Sequence, residues 1–154
     1  MGNELLAFVR EFKPESEPED VKELVGKANS FLDTFNWANI PRKYWIGECI
    51  PGVLGLFLVE LVDADPLVDP YIWVVVGDLP PAYLSSQYAR SPRAAVDGYI
   101  AEMEAWVDAV ENGNSTEDLI PVNGEPTEAN AEALKSRLEF LDQKILPFLP
   151  GHDH

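Results

Sequence analysis

The spacing of apolar positions divides the chain into a helical start, a strand-rich middle and a helical end. Leu5, Phe8, Val9 and Phe12 share one face at helical spacing, and Pro14 stops that segment. Ser16 precedes Pro18 with Glu19 three residues on, a capping-box arrangement. Val21, Leu24, Val25, Ala28, Phe31, Leu32 and Phe35 then repeat at about 3.6 residues, which predicts a second helix ending before the break at 36–41.

The middle third changes character. Three runs rich in β-branched and aromatic residues, at about 45–50, 53–62 and 71–77, predict strands separated by Pro51–Gly52 and by DADPLVDP. That second connector is too short for the crossover parallel strands require, so the three form an antiparallel meander. Val74, Val75 and Val76 are consecutive rather than alternating, which places the last strand under cover on both faces and in a central position. The segment 83–90 reads as a loop or a short helical turn.

Helical spacing resumes at Ser91–Pro92, a hydroxyl cap followed by proline at the first helical position. Val96, Tyr99, Ile100, Met103, Trp106, Val107 and Val110 form its apolar face, and Asn112–Gly113 closes it. A polar loop follows, with Leu119–Val122 as a candidate edge strand. Thr127 caps the last helix, on which Ala131, Leu134, Leu138, Leu141, Ile145 and Phe148 step by threes and fours. The expected fold is α+β: a three-stranded antiparallel meander packed by two N-terminal and two C-terminal helices. It forms a single domain over 1–154, with a tail frayed from about 149. The expected core includes Phe31, Leu32, Phe57, Val59, Val75, Ile100, Trp106 and Leu138.

Charge sharpens this picture. There are 27 Asp and Glu against 11 Lys and Arg, a net charge of −16. Between Ala94 and Leu134 no Lys or Arg occurs, while ten acids do. Such a surface disfavours nucleic acid and anionic lipid, and it favours a basic protein partner through complementary steering. Glu102, Glu104, Asp108 and Glu111 on the third helix are the expected partner-binding residues. The final helix, at 128–146, is the most charge-balanced segment, so a homodimer would use it. A single Cys, the lack of a signal-like start and the lack of a long apolar run point to a soluble, reduced, cytoplasmic protein.

Catalytic chemistry is weakly represented. Both histidines lie in the terminal GHDH, so neither Cys49 nor a serine has an assignable base, and no zinc site or cofactor is expected. Asp63, Asp65 and Asp69 resemble the start of a calcium loop, but Val68 and Val74 stand where glycine and glutamate are needed. The most unusual stretch is WVVVGDLPPAYL, in which a strand delivers Asp78 to a diproline turn. A pocket near Trp73, Asp78 and Tyr83 is therefore the expected site if the chain is a small enzyme or ligand-binding domain; otherwise Asp78 caps the turn.

With YIAEMEAWVDAV and the Glu/Ala-rich final helix, that stretch resembles an uncharacterised family of small acidic bacterial cytosolic domains over residues 45–146. Some of these are similar to immunity proteins of polymorphic toxins. The resemblance implies an α+β fold and protein binding, and it supplies no catalytic motif. A non-enzymatic acidic protein-binding domain, with an immunity protein as its concrete case, is the leading expectation. An acidic secretion chaperone is a further alternative.

Overall fold

The computed structural model describes residues 5–62, 70–119, 122 and 125–151. Five antiparallel strands form one sheet in sequential order: β1 (Arg10–Glu11), β2 (Arg42–Ile50), β3 (Leu54–Leu61), β4 (Tyr71–Gly77) and β5 (Ala82–Ser85). Among the described residues three full α-helices pack on it: α1 (Glu19–Leu32), α2 (Pro92–Glu111) and α3 (Glu128–Phe140). The α+β class stands, but the three-stranded meander with four helices is overturned.

Both added strands are short edge elements. The apolar residues at the start do not share one helical face. Arg10 and Glu11 pair with Ile46 and Trp45, and the Phe12 N–H donates to Tyr44 O at 2.9 Å. Leu5 then joins one side of the sheet and Phe12 the other. At the opposite edge, the expected loop after Pro81 is β5, whose residues alternate about the sheet plane. Ala82 and Leu84 lie opposite Val75 and Trp73, and Tyr83 and Ser85 opposite Val74 and Ile72.

The three central strands lie where the sequence predicts. The β2–β3 connection is a type II-like turn, with Pro51 followed by Gly52 at φ +82° and Val53 N–H donating to Ile50 O at 2.9 Å. Within β2, Gly47 is the extra residue of a bulge between Ile46 and Glu48. The bulge returns Cys49 to the side already occupied by Tyr44 and Ile46. β4 is paired on both sides and covered on both faces, while β3 is the middle strand.

The sheet separates two apolar layers. On one face Phe57, Val59, Val74 and Val76 meet Val21, Leu24, Val25, Ala28 and Leu32 of α1. On the other, Leu54, Leu56, Leu58, Trp73 and Val75 meet α2 and α3 through Tyr99, Met103, Trp106, Leu134 and Leu138. Seven of the eight expected core residues are buried; Phe31 is partly exposed, because α1 ends one residue later and leaves it at the rim.

The helix starts differ in how they are capped. Ser91 Oγ accepts from Ala94 N–H and Thr127 Oγ1 from Asn130 N–H, as expected. The Ser16 box does not form: α1 begins after Pro18 without a side-chain cap, and Ser16 Oγ donates to Lys13 O. At the other end of the chain, Leu149 is buried and Pro150 O accepts the Arg93 N–H at 3.1 Å, so 149–151 is packed rather than frayed. Residues 152–154, residues 63–69 with the calcium-loop candidates, and residues 120 and 121 of the candidate strand at 119–122 lie outside the described residues. Ala131, Leu134, Leu138 and Leu141, the stripe on which a homodimer through helix 128–146 would depend, are buried within the chain's own core.

Candidate functional site

The C-terminal end of α1 is held to the sheet by Arg42, whose side chain is almost fully buried. Its guanidinium donates to Ala38 O through Nε and Nη2, and through Nη1 to Asn29 O, Asn29 Oδ1 and Asp33 Oδ1. Tyr44 Oη donates to the same Asn29 Oδ1 at 2.7 Å, and burial raises the pKa of this phenol. A cation at a helix C-terminus also meets the negative end of the backbone dipole. This clamp fixes where the helix stops and therefore where Phe31, Phe35 and Trp37 emerge.

Those rings gather around Tyr83 of β5. Centroid distances to Tyr83 are 4.9 Å for Trp37, 5.3 Å for Phe35 and 6.4 Å for Phe31, and Phe31 and Phe35 meet edge to face at 5.2 Å. Trp37 and Tyr83 remain 45% and 40% exposed, so the cluster is a surface feature rather than core. Beside it runs a groove of about 670 Å³. Phe31, Phe35 and Tyr83 form one wall, and Ala94, Gly98 and Glu102 of α2 form the other, with Asp118 and Leu119 nearby and all of β5 along the floor.

The expected pocket around Trp73, Asp78 and Tyr83 is not one site. Trp73 is fully buried, and its Nε1–H donates to Ala89 O at 2.7 Å. Asp78 lies past the end of β4, where its Oδ2 accepts Arg137 Nε–H at 3.2 Å, and both side chains are largely exposed. This ion pair borders a shallower cleft between the diproline turn and α3, lined by Pro80, Trp106 and Leu134. Of the three, only Tyr83 lines the groove beside the aromatic cluster. Trp73 and Tyr83 project to opposite sides of the sheet, and Trp73 lies one strand in from the edge opposite Leu84, within the core.

The four acids of α2 are all exposed, but they divide as well. Glu104, Asp108 and Glu111 step by four and three along one side of the helix, continuous with Asp97 seven residues earlier. Glu102 projects elsewhere and lines the groove. Asp118, which no sequence pattern singles out, supplies the groove's second acid. Phe31, Phe35, Trp37 and Arg137 were likewise missed as site residues. The aromatic run FLDTFNW, outlasting its helix, was the available signal.

Cys49 is half-buried in β2, and burial, reinforced by Asp20 and Glu48, pushes its thiol up to about 11 from 9.0. Near pH 7.5 this leaves about a hundredfold less thiolate than an ordinary cysteine carries. Alkylation by iodoacetamide is therefore expected to be at least about tenfold slower than that of glutathione; an equal rate would place the thiol in a different environment. Since the folded pKa lies above the unfolded one, this group's contribution to stability holds below about pH 9 and is lost as pH rises through about 11.

Among the described residues, no three of His, Cys, Asp and Glu converge to hold a metal ion, and no helix is long and apolar enough to cross a membrane. No family profile, curated protein or solved structure matches the chain, so the likeness of residues 45–146 to small acidic bacterial domains has no support from these comparisons.

Proposed function

We propose that this chain is a non-catalytic domain that binds a basic protein. The observation that carries the reading is the run of exposed acids Asp97, Glu104, Asp108 and Glu111 on one side of α2, within a segment that has no Lys or Arg from Ala94 to Leu134. A one-sign stripe of this kind accelerates encounter with an oppositely charged surface, and apolar contacts then hold the complex. The aromatic cluster at Trp37 and Tyr83 is exposed on the same molecule and supplies the side chains that dominate binding energy at protein interfaces. Neutralisation of a basic toxin by an immunity protein is the concrete form this takes; an acidic chaperone falls in the same class.

The test is capture of a partner from source cells by the wild-type chain and by Glu104→Lys/Asp108→Lys/Glu111→Lys, at about 0.05 and 0.5 M salt. All three side chains are exposed, so the variant should keep its fold, which circular dichroism checks. Capture is expected at low salt by the wild type only, falling at least about tenfold at high salt. A partner held equally by the variant and unaffected by salt would overturn the reading.

One observation favours a second reading. The groove volume lies within the range of small-ligand sites, roughly 300–1,000 Å³, and its walls are largely aromatic and aliphatic. A ligand-binding domain would therefore centre on Tyr83 rather than on Asp78, and its binding would be insensitive to salt.

A further inference from the structure

We infer that the basic partner inserts an extended segment into the groove, where it adds a sixth strand to the sheet along β5. The inference rests on the basic-partner reading above and specifies what that partner presents. β5 ends the sheet, and among the described residues it pairs only with β4. An edge strand presents alternate backbone N–H and C=O groups outward, ready to pair with another chain.

Edges not meant for pairing are usually blunted by charge, proline, a bulge or brevity. The opposite edge follows this rule: β1 has two residues, Arg10 and Glu11, both charged. The β5 edge is limited by its length of four residues and by the Ala89 N–H, which donates to Ser85 O at 3.2 Å, but by neither charge nor proline. Ala82–Ser85 carries no charge or proline, and its register against β4 is unbroken from Ile72–Ser85 to Val75–Ala82. Among the described residues the strand lines the groove along its length, with Tyr83 and Ser85 exposed and Ala82 buried.

The two walls specify the incoming side chains. Tyr83 and Ser85 face the α1 side of the sheet, and Ala82 and Leu84 the α2 side. A strand added beside them projects alternate residues the same two ways. Those on the α1 side meet Phe31, Phe35 and Tyr83, which suit apolar or aromatic groups. Those on the α2 side pass Ala94 and Gly98, small residues one turn apart, and reach Glu102 and Asp118. These two are the charged side chains lining the groove, and both are acidic. The segment that fits alternates apolar with Lys or Arg. β5 spans about 13 Å at roughly 3.3 Å per residue, so four to six residues fill it. A second copy of this chain fits less well, because two molecules of charge −16 repel.

The probe is an acetylated, amidated peptide of four Lys-Val repeats, labelled for fluorescence anisotropy and titrated with the intact protein at about 0.05 M salt. Three comparisons accompany it: the same peptide N-methylated at its four central residues, a Glu-Val counterpart, and the Glu102→Lys/Asp118→Lys variant. The Lys-Val peptide is expected to bind. N-methylation, which removes backbone donors on both edges but keeps charge and side chains, should weaken it at least about tenfold, as should the variant; the Glu-Val peptide should not bind. Equal binding of the N-methylated peptide would overturn strand addition while leaving the basic-partner reading standing. No binding of the Lys-Val peptide would also overturn it, and the salt-dependent capture experiment then decides the broader reading separately. A dimer in light scattering that the peptide dissociates would assign the edge to a second copy and overturn the proposal.

Discussion

Replacing Trp73 with alanine is expected to destabilise the fold by about 3–5 kcal/mol, lowering its melting temperature by on the order of 10 °C. The indole is among the largest fully buried side chains and lies between Leu58 on β3 and Leu84 on β5. It also bears, together with Leu56, on the glycine at the bulge in β2. A Cβ at Gly47 would stand 3.2 Å from the Trp73 ring, so the strand passes over the indole with no side chain at that point. The Nε1–H bond to Ala89 O adds a polar component, since without it the carbonyl of a buried residue loses its partner. Trp73→Phe separates the two parts: it keeps most of the ring volume, removes the donor, and is expected to cost about 1–3 kcal/mol. Urea unfolding of both variants measures the difference. An alanine variant within about 1 kcal/mol of wild type would mean that this layer of the core repacks without the indole.

What the sequence made legible follows from how local each signal is. β2, β3 and β4 are long, rich in β-branched and aromatic residues, and bounded by proline and glycine, so composition alone locates them. β1 and β5 are two and four residues long, and neither length carries a period; they are strands because β2 and β4 offer them an edge. The helical spacing of Leu5, Phe8, Val9 and Phe12 is equally compatible with residues that turn from one side of the sheet to the other.

The candidate site was harder to read for a related reason. Phe31 and Phe35 continue the heptad-like spacing of α1, which marks them as core. Their exposure is decided by where the Arg42 clamp lets the helix end, ten residues away in sequence from Leu32. Asp78 looked unpartnered because Arg137 is fifty-nine residues distant. The acids of α2, by contrast, were visible as a set spread around one helix; the structure divides them, with Glu102 on a different surface from Glu104, Asp108 and Glu111.

Gly77→Ala is expected to cost about 2–6 kcal/mol, the sum of a strained backbone and a steric conflict of about 1–3 kcal/mol each. Gly77 has φ +131°, a conformation that side chains rarely adopt, and an added Cβ would stand 2.5 Å from Val53 O and 3.0 Å from Leu54 Cα. Both are backbone atoms at the start of β3, so relief requires the strand ends to separate. The same approach lets Asp78 N–H donate to Val53 O at 3.1 Å, and the variant threatens that bond too. Gly52→Ala is the matched control: its φ is +82°, but nothing lies within 4 Å of the added atom, so it should lose only the conformational part, about 1–2 kcal/mol. Equal losses in the two variants would show that φ alone is responsible and that the contact with Val53 is soft. Because Gly77 is the last residue of β4 before the diproline turn into β5, hydrogen exchange along Ala82–Ser85 should accelerate in Gly77→Ala and remain unchanged in Gly52→Ala. That local readout matters for binding as well, since a displaced β5 would no longer offer a straight edge between the aromatic wall and Glu102.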